Sequence, residues 1–436
     1  MQLLRKKGLA LLCALTLMLG LVPMASALTG AATRAADALN TLGIIQGTRA
    51  GYAEDRPANR AEAAVILVRL AGAEAAAKTA PKGTFTDLPA WAAPAIRYAF
   101  AQGWVSGRTG QTYVPGDTVS AADWCTMVLR LLGYSDAKGD FSHGGAVQFA
   151  QHLGLITTAY TDFTRGDLFQ VALSALTLPK KDGGTLLADL VEKGLVTADT
   201  VKKLGLDEGA TLTARQIADR YTAAVFTMDC YAKQEEVTAG KPAGQASGFF
   251  ITADGLAVTN YHSIAGAIAA NATLITGEKY KVERVLYYDP DIDVAVIQVA
   301  MTSTAGVKTP TFAHMNLVSR DTVHNGDVVY TLGSPLGLGL CISSGIVASR
   351  TKEVETYALP MIQNTADISV GSSGGALLNE KGQVVGITSG AYVYGNNMYL
   401  AVPIDPVLKA DLTGKGWTLQ EVASKEAARI AATKKA

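Results

Sequence analysis

The residues best equipped for chemistry lie in the segment Gly371-Ser372-Ser373-Gly374-Gly375. Glycines on both sides of a serine let backbone N–H groups converge on one point, which an oxyanion hole beside a nucleophile requires. Taken alone, these five residues fit a plain Gly/Ser loop better. They also fit the Gly-x-Ser-x-Gly nucleophile elbow, which needs a helix after the serine and a histidine further downstream. Here Ala376 to Val385 reads as strand, turn, strand, and no histidine follows His324. An α/β-hydrolase is therefore excluded. The order His…Asp…Ser remains. His262 ends an apolar run, Gly255 to Thr259, and Asp293 opens another, Val294 to Val299. In that chemistry His262 takes the Ser373 proton, Asp293 holds the imidazole, and the N–H groups of Gly371 and Ser373 receive the oxyanion. Of the other histidines, His143 and His152 fall in a helical stretch, and His314 and His324 in polar, turn-like segments. Asp289-x-Asp291-x-Asp293 invites a calcium-loop reading, but Val294 stands where the loop needs Gly and Ala300 where it needs Glu. No metal or cofactor is expected.

Two kinds of element must position these residues. From about residue 215, short apolar runs alternate with Gly, Asn and Asp: Gly255 to Thr259, Val294 to Val299, Val328 to Leu332 and Val384 to Thr388. This spacing predicts many short strands, and about 190 residues of it suit two small barrels. From about residue 30 to 205 the chain is Ala- and Leu-rich with helical periodicity and an internal echo. Leu39 to Ile45 recurs as Ala99 to Val105 and as Ala150 to Ile156, each a helix end closed by glycine at Gly43, Gly103 and Gly154. A second amphipathic helix follows each copy, at Ala61 to Ala71, Ala121 to Leu132 and Gly166 to Leu176. A period of about 50 to 60 residues predicts stacked helical units.

The 436-residue chain is long enough for two or three domains. Lys and Arg number 38 and so do Asp and Glu, so no net charge draws the chain to nucleic acid. At the start, Arg5, Lys6 and Lys7 precede an apolar run, Gly8 to Val22, and the small residues Ala25-Ser26-Ala27. This is the pattern of a secretory signal cleaved after Ala27, and no later stretch is long and apolar enough to span a bilayer. Cys125, Cys230 and Cys341 remain after cleavage, an odd number that permits at most one internal disulfide.

The helical units resemble S-layer homology repeats, on Phe85-Thr86-Asp87, Trp91, Ile96 and Tyr113-Val114-Pro115-Gly116. The family's helix-start motif appears as Asn59-Arg60-Ala61-Glu62 and Thr164-Arg165-Gly166-Asp167, while the middle copy, Ser120-Ala121-Ala122-Asp123, lacks the arginine. The resemblance implies cell-wall polysaccharide as a partner, held by Arg60 and Arg165; the alternative makes both solvent-facing charges at helix starts. Residues 220–410 resemble an HtrA-type, trypsin-like serine protease domain. The matching segments are Gln245 to Ile251, the run around His262, Asp289 to Val296, Leu332 to Gly337, and Gln363 to Val370 leading into Ser373. Carried over residue by residue, the family's triad falls on His262, Asp293 and Ser373. Two departures are mild: Ser372 replaces the usual Asn and Val370 the usual Pro. The PDZ domain common in such chains is not expected after Pro406. Asp367 stands where trypsin-like enzymes place an acidic pocket base, with Ser389 as a second candidate pocket residue; the alternative is that Asp367 pairs locally. HtrA-type domains often form homo-oligomers.

The expected fold is therefore multidomain: all-α repeats, then an all-β chymotrypsin-like double barrel. The expected bounds are a signal peptide at 1–27, repeats at 28–205, a linker at 206–219, the protease at 220–410 and a polar tail at 411–436. The function expected is a secreted, wall-associated serine endopeptidase acting on proteins. The alternatives are an envelope-binding protein with an idle protease fold and a free protease shielded by its helical region.

Overall fold

The computed structural model describes residues 24–47, 51–157, 160–207, 209–334, 339–391 and 397–433. Most of the expected signal peptide, residues 1–23, lies outside them, as do Pro335 to Gly337 of one motif. No helix among the described residues is long and apolar enough to cross a membrane. The chain divides into two compact units, 1–135 with 160–204, and 136–159 with 205–436.

The first unit is helical. Three helices, Arg60–Leu70, Ala121–Leu131 and Arg165–Thr177, each begin with a capping box, at Asn59/Glu62, Ser120/Asp123 and Thr164/Asp167. The recurring motif is thus a helix-start device, two orphan backbone donors being satisfied by two side chains. The glycine stops also behave as their chemistry dictates. Gly43 and Gly103 take φ of 74° and 75°. At each, the glycine N–H reaches back to Asn40 O or Phe100 O, and the next N–H to Leu39 O or Ala99 O, the paired bonds of a Schellman end.

Among the described residues the second unit holds twelve strands. In the first barrel they are β1 Val225–Tyr231, β2 Gly244–Phe250, β3 Leu256–Thr259, β4 Ala269–Thr273, β5 Lys279–Asp289 and β6 Val294–Ser303. In the second they are β7 Val328–Gly333, β8 Cys341–Lys352, β9 Met361–Asn364, β10 Ala376–Asn379, β11 Val384–Ala391 and β12 Tyr399–Pro403. Both barrels close, in the orders β1-β2-β3-β6-β5-β4 and β10-β11-β12-β9-β8-β7, with every pairing antiparallel. Closure leaves no sheet edge unpaired. Phe226, Phe250, Tyr280 and Phe312 fill the first barrel, where Phe250 stacks on Phe312 at 4.3 Å. Val258, Val294 and Val296 of the first join Leu332, Ala376, Leu378 and Ile387 of the second in one buried cluster, which locks the barrels together.

Two expected segments take a different place in the structure. Residues 136–159, expected among the repeats, belong to the second unit. Their helix Ala146–His152 sets His152 Nε2 against Glu278 and 3.3 Å from Thr276 Oγ1, so the third echo packs on the first barrel; Gly154 keeps the same closing turn at φ 74°. The segment 206–219 is no linker. Leu212 N–H donates to Glu380 O at 2.7 Å, and Leu212 and Ile217 are buried in the inter-barrel core. The polar tail, for which the sequence left a helix or a frayed end open, includes the helix Leu419–Thr433, whose Leu419 and Val422 are buried on the first barrel. Cys125, Cys230 and Cys341 are all free thiols; burial pushes those of Cys125 and Cys230 up to about 12.

Candidate active site

Strand β3 ends at Thr259, and a single turn, Tyr261–Ile264, carries His262 out at the junction of the barrels. Asp293 stands before β6 with φ of 59°, a left-handed conformation that Asp tolerates better than most residues. Its carboxylate lies under the imidazole. Oδ1 accepts the His262 backbone N–H at 2.9 Å, and Nδ1 lies 3.0 Å from Oδ1 and 2.8 Å from Oδ2. The pair is asymmetric in exposure, with side chains 49% and 10% accessible for His262 and Asp293. A buried carboxylate on Nδ1 holds the proton there and leaves Nε2 free to act as a base. Ser389 donates its hydroxyl to the second oxygen, Asp293 Oδ2, at 2.7 Å. Asn260 Nδ2 fixes the Asp293 carbonyl at 2.9 Å.

Ser373 lies in the turn before β10, on a loop gripped from both barrels. Ser247 N–H donates to Ser373 O at 2.8 Å, and Ser247 Oγ to Gly371 O at 2.7 Å. Thr388 Oγ1 donates to Ser372 O at 2.5 Å. Gly374 has φ of +86°, and a Cβ there would fall 2.1 Å from Ser247 O. The backbone passes too close for any side chain. Among the described residues, no protein acceptor takes the N–H of Gly371 or Ser373, so both remain free for an oxyanion.

One contact differs from expectation. The Ser373 hydroxyl donates to the Ser389 carbonyl at 3.0 Å, and no hydrogen bond joins it to His262 among the described residues. Attack requires a turn of the Ser373 side chain between staggered rotamers.

Residues 246–387 match the family model described as trypsin-like peptidase domain. The match lies within the second unit. The chain is similar to a probable periplasmic serine endoprotease, DegP-like, of Chlamydia pneumoniae, at 31% identity over 171 residues. That match covers 39% of this chain and 33% of the relative. It is also similar to the mitochondrial serine protease HTRA2 of Bos taurus, at 33% identity over 169 residues, 38% of this chain and 35% of that one. A solved serine endoprotease from Yersinia pestis aligns with a TM-score of 0.37 and 23% identity, over 45% of this chain and 64% of the other. The chain thus spans about a third of the length of these two curated relatives.

Ser389, expected as a pocket residue, donates its hydroxyl to Asp293. No local signal separates the two roles, since the contact joins β11 to the loop before β6. Asp367 is exposed, and its carboxylate accepts the Tyr399 hydroxyl. That hydrogen bond raises the Tyr399 pKa. The local pairing of Asp367 is therefore the arrangement present.

The two arginines expected to contact sugar both have protein partners. Arg60 is buried, its Nε and Nη2 donating to Tyr113 O at 3.0 Å and Ser106 O at 2.6 Å. Its guanidinium lies 4.3 Å over the Tyr113 ring. Arg165 Nη1 pairs with Glu62 Oε1 at 2.8 Å, and its Nε donates to Tyr52 O at 2.9 Å. Neither is a solvent-facing charge. Both staple loops within their unit, because a planar guanidinium satisfies several carbonyls at once.

Proposed function

We propose that this chain is a serine endopeptidase that hydrolyses peptide bonds in proteins through an acyl-enzyme. The observation that carries the reading is the Asp293 carboxylate, which accepts the His262 backbone N–H at 2.9 Å and meets Nδ1 at 2.8 Å. With Nδ1 held protonated, His262 Nε2 takes the proton from Ser373 Oγ as that oxygen attacks the scissile carbonyl carbon. The carbonyl oxygen becomes an anion between the N–H groups of Gly371 and Ser373. His262 then returns the proton to the departing amine, leaving an ester on Ser373. Water, deprotonated by His262, hydrolyses the ester and restores the serine.

Fluorophosphonate labelling of the purified protein beside Ser373→Ala tests this. Labelling that vanishes in the variant supports it; a folded protein that stays unlabelled refutes it. The second reading, an envelope-binding protein with an idle peptidase fold, is favoured by the Ser373–Ser389 hydrogen bond at 3.0 Å. The same labelling decides between them.

Secretion rests on the basic and apolar run ahead of Ala27. Wall association rests on the S-layer homology resemblance alone, since Arg60 and Arg165 are taken up by protein partners. A pull-down of the full chain on purified cell wall, with and without polysaccharide removed, tests it. Self-association, which the HtrA-type resemblance suggests, is read by light scattering.

A further inference from the structure

The triad does not explain how the oxyanion loop keeps its shape. Each peptide unit of residues 371–374 is trans, since no cis bond occurs among the described residues. In a trans unit the C=O and the following N–H point opposite ways. Whatever holds a carbonyl of this loop therefore aims the next N–H. The carbonyl of Ser372 is held from the second barrel by Thr388 Oγ1 at 2.5 Å, and Thr388 is 1% exposed. The N–H sharing that peptide unit is that of Ser373, an oxyanion donor. The carbonyls on either side, Gly371 O and Ser373 O, are held from the first barrel by Ser247 at 2.7 and 2.8 Å.

Ser247 is itself fully buried and fixed on every polar atom. Its Oγ accepts Ser334 N–H at 2.8 Å, and its carbonyl accepts Thr259 Oγ1 at 2.8 Å. Ser334 is fixed in turn by Thr227 Oγ1 at 2.7 Å. Thr388 O also takes Gly374 N–H at 2.8 Å, which closes the loop from the same side.

We infer that Thr388 and Ser247 are positioning residues for the oxyanion hole: two hydroxyls, one from each barrel, hold the carbonyls of Ser372 and Gly371, the Ser247 backbone N–H holds that of Ser373, and together they set the Ser373 N–H toward the substrate. The inference rests on the serine-peptidase reading. Neither residue touches substrate. Each acts through the backbone, and a hydroxyl with a fixed donor direction is what the arrangement requires. Without the Thr388 hydroxyl, Ser372 O keeps only the Gly375 N–H at 2.9 Å, and the peptide unit is held on one side alone and freer to flip. A flip would turn the Ser373 N–H away and put a carbonyl into the hole.

The test compares Thr388→Val, Thr388→Ser and Ser247→Ala with the unaltered protein. Fluorophosphonate acylation rates and kcat against KM are read together with amide exchange of Ser372, Gly374 and Gly375. Thr388→Val removes only the hydroxyl at nearly constant volume. The expected result is acylation and kcat slower by about 10- to 100-fold, below the loss of a whole oxyanion donor. KM stays within about twofold, exchange at the loop amides is faster, and Thr388→Ser restores most of the rate. Thr388→Val acylated at the unaltered rate overturns the inference, as does a loss that Thr388→Ser fails to recover. If the unaltered protein is never acylated, the peptidase reading falls. The clamp then stands or falls on whether Thr388→Val speeds loop exchange.

Discussion

Ser389 binds Asp293 and Ser373 at once: its hydroxyl donates to Asp293 Oδ2 at 2.7 Å, and its carbonyl accepts from Ser373 Oγ at 3.0 Å. The residue thus holds the Asp293 carboxylate and the Ser373 hydroxyl together. Ser389→Ala removes the first contact and keeps the second, because the carbonyl remains. Hydrogen bonds to charged groups contribute about 1.5–3 kcal/mol, so kcat should fall about 10- to 100-fold with KM little changed. Steady-state kinetics on a peptide substrate reads this. A shift in KM and side-chain preference at constant kcat would return Ser389 to the specificity pocket.

Asp293→Asn keeps the shape of the site and reverses its polarity. The amide presents a donor to Nδ1 and stabilises the tautomer whose proton sits on Nε2, where the base must be vacant. Acylation should slow by about 10⁴-fold. Near-native circular dichroism with that loss separates chemistry from misfolding.

The Asp367 carboxylate is engaged by the Tyr399 hydroxyl. Tyr399→Phe frees it. Cleavage after Arg or Lys should then rise several-fold relative to cleavage after small aliphatic residues, as profiling on a peptide library will report. An unchanged profile would show that Asp367 does not face the substrate side chain.

Gly374 has no room for a side chain. With φ of +86° and a Cβ 2.1 Å from Ser247 O, Gly374→Ala carries about 1–2 kcal/mol of backbone strain before the clash is counted. The melting temperature of the second unit should drop by at least about 2–4 °C, and labelling of Ser373 should vanish. Differential scanning calorimetry with the labelling assay checks both.

Acid should loosen the helical unit through Glu62. Burial alone raises its pKa, but the hydrogen bonds from Arg56 and from Asn59 N–H, with the charges of Arg165 and Arg56, outweigh burial and hold the carboxyl below its ordinary value. A carboxyl lowered on folding contributes stability that is complete above its unfolded pKa, about 4.3, and is lost as pH falls through the lower folded value. Helical ellipticity should therefore melt at a lower temperature at pH 3 than at pH 6. Glu62→Gln should flatten that difference, and a slope unaltered by the substitution would assign the acid sensitivity elsewhere.

Local chemistry was legible without coordinates. The glycine stops at Gly43, Gly103 and Gly154 and the helix starts after Asn59, Ser120 and Thr164 depend on residues within one turn, so spacing alone specifies them. The strands around Val294, Val328 and Val384 follow from alternation in the same way. The proximity of His262 and Asp293 was inferable from their order and from the strands that carry them. Tertiary structure decided everything that joins distant segments. It placed 136–159 on the first barrel through His152 and Glu278, and it seated Leu212 and Ile217 in the inter-barrel core. It turned Arg60 and Arg165 into internal staples, gave Asp367 to Tyr399, and set Ser389 beneath Asp293. A side chain's sequence neighbours fix its backbone preference. Its hydrogen-bond partner is whichever group the closed barrels bring within 3 Å, and that distance is written nowhere in the local pattern.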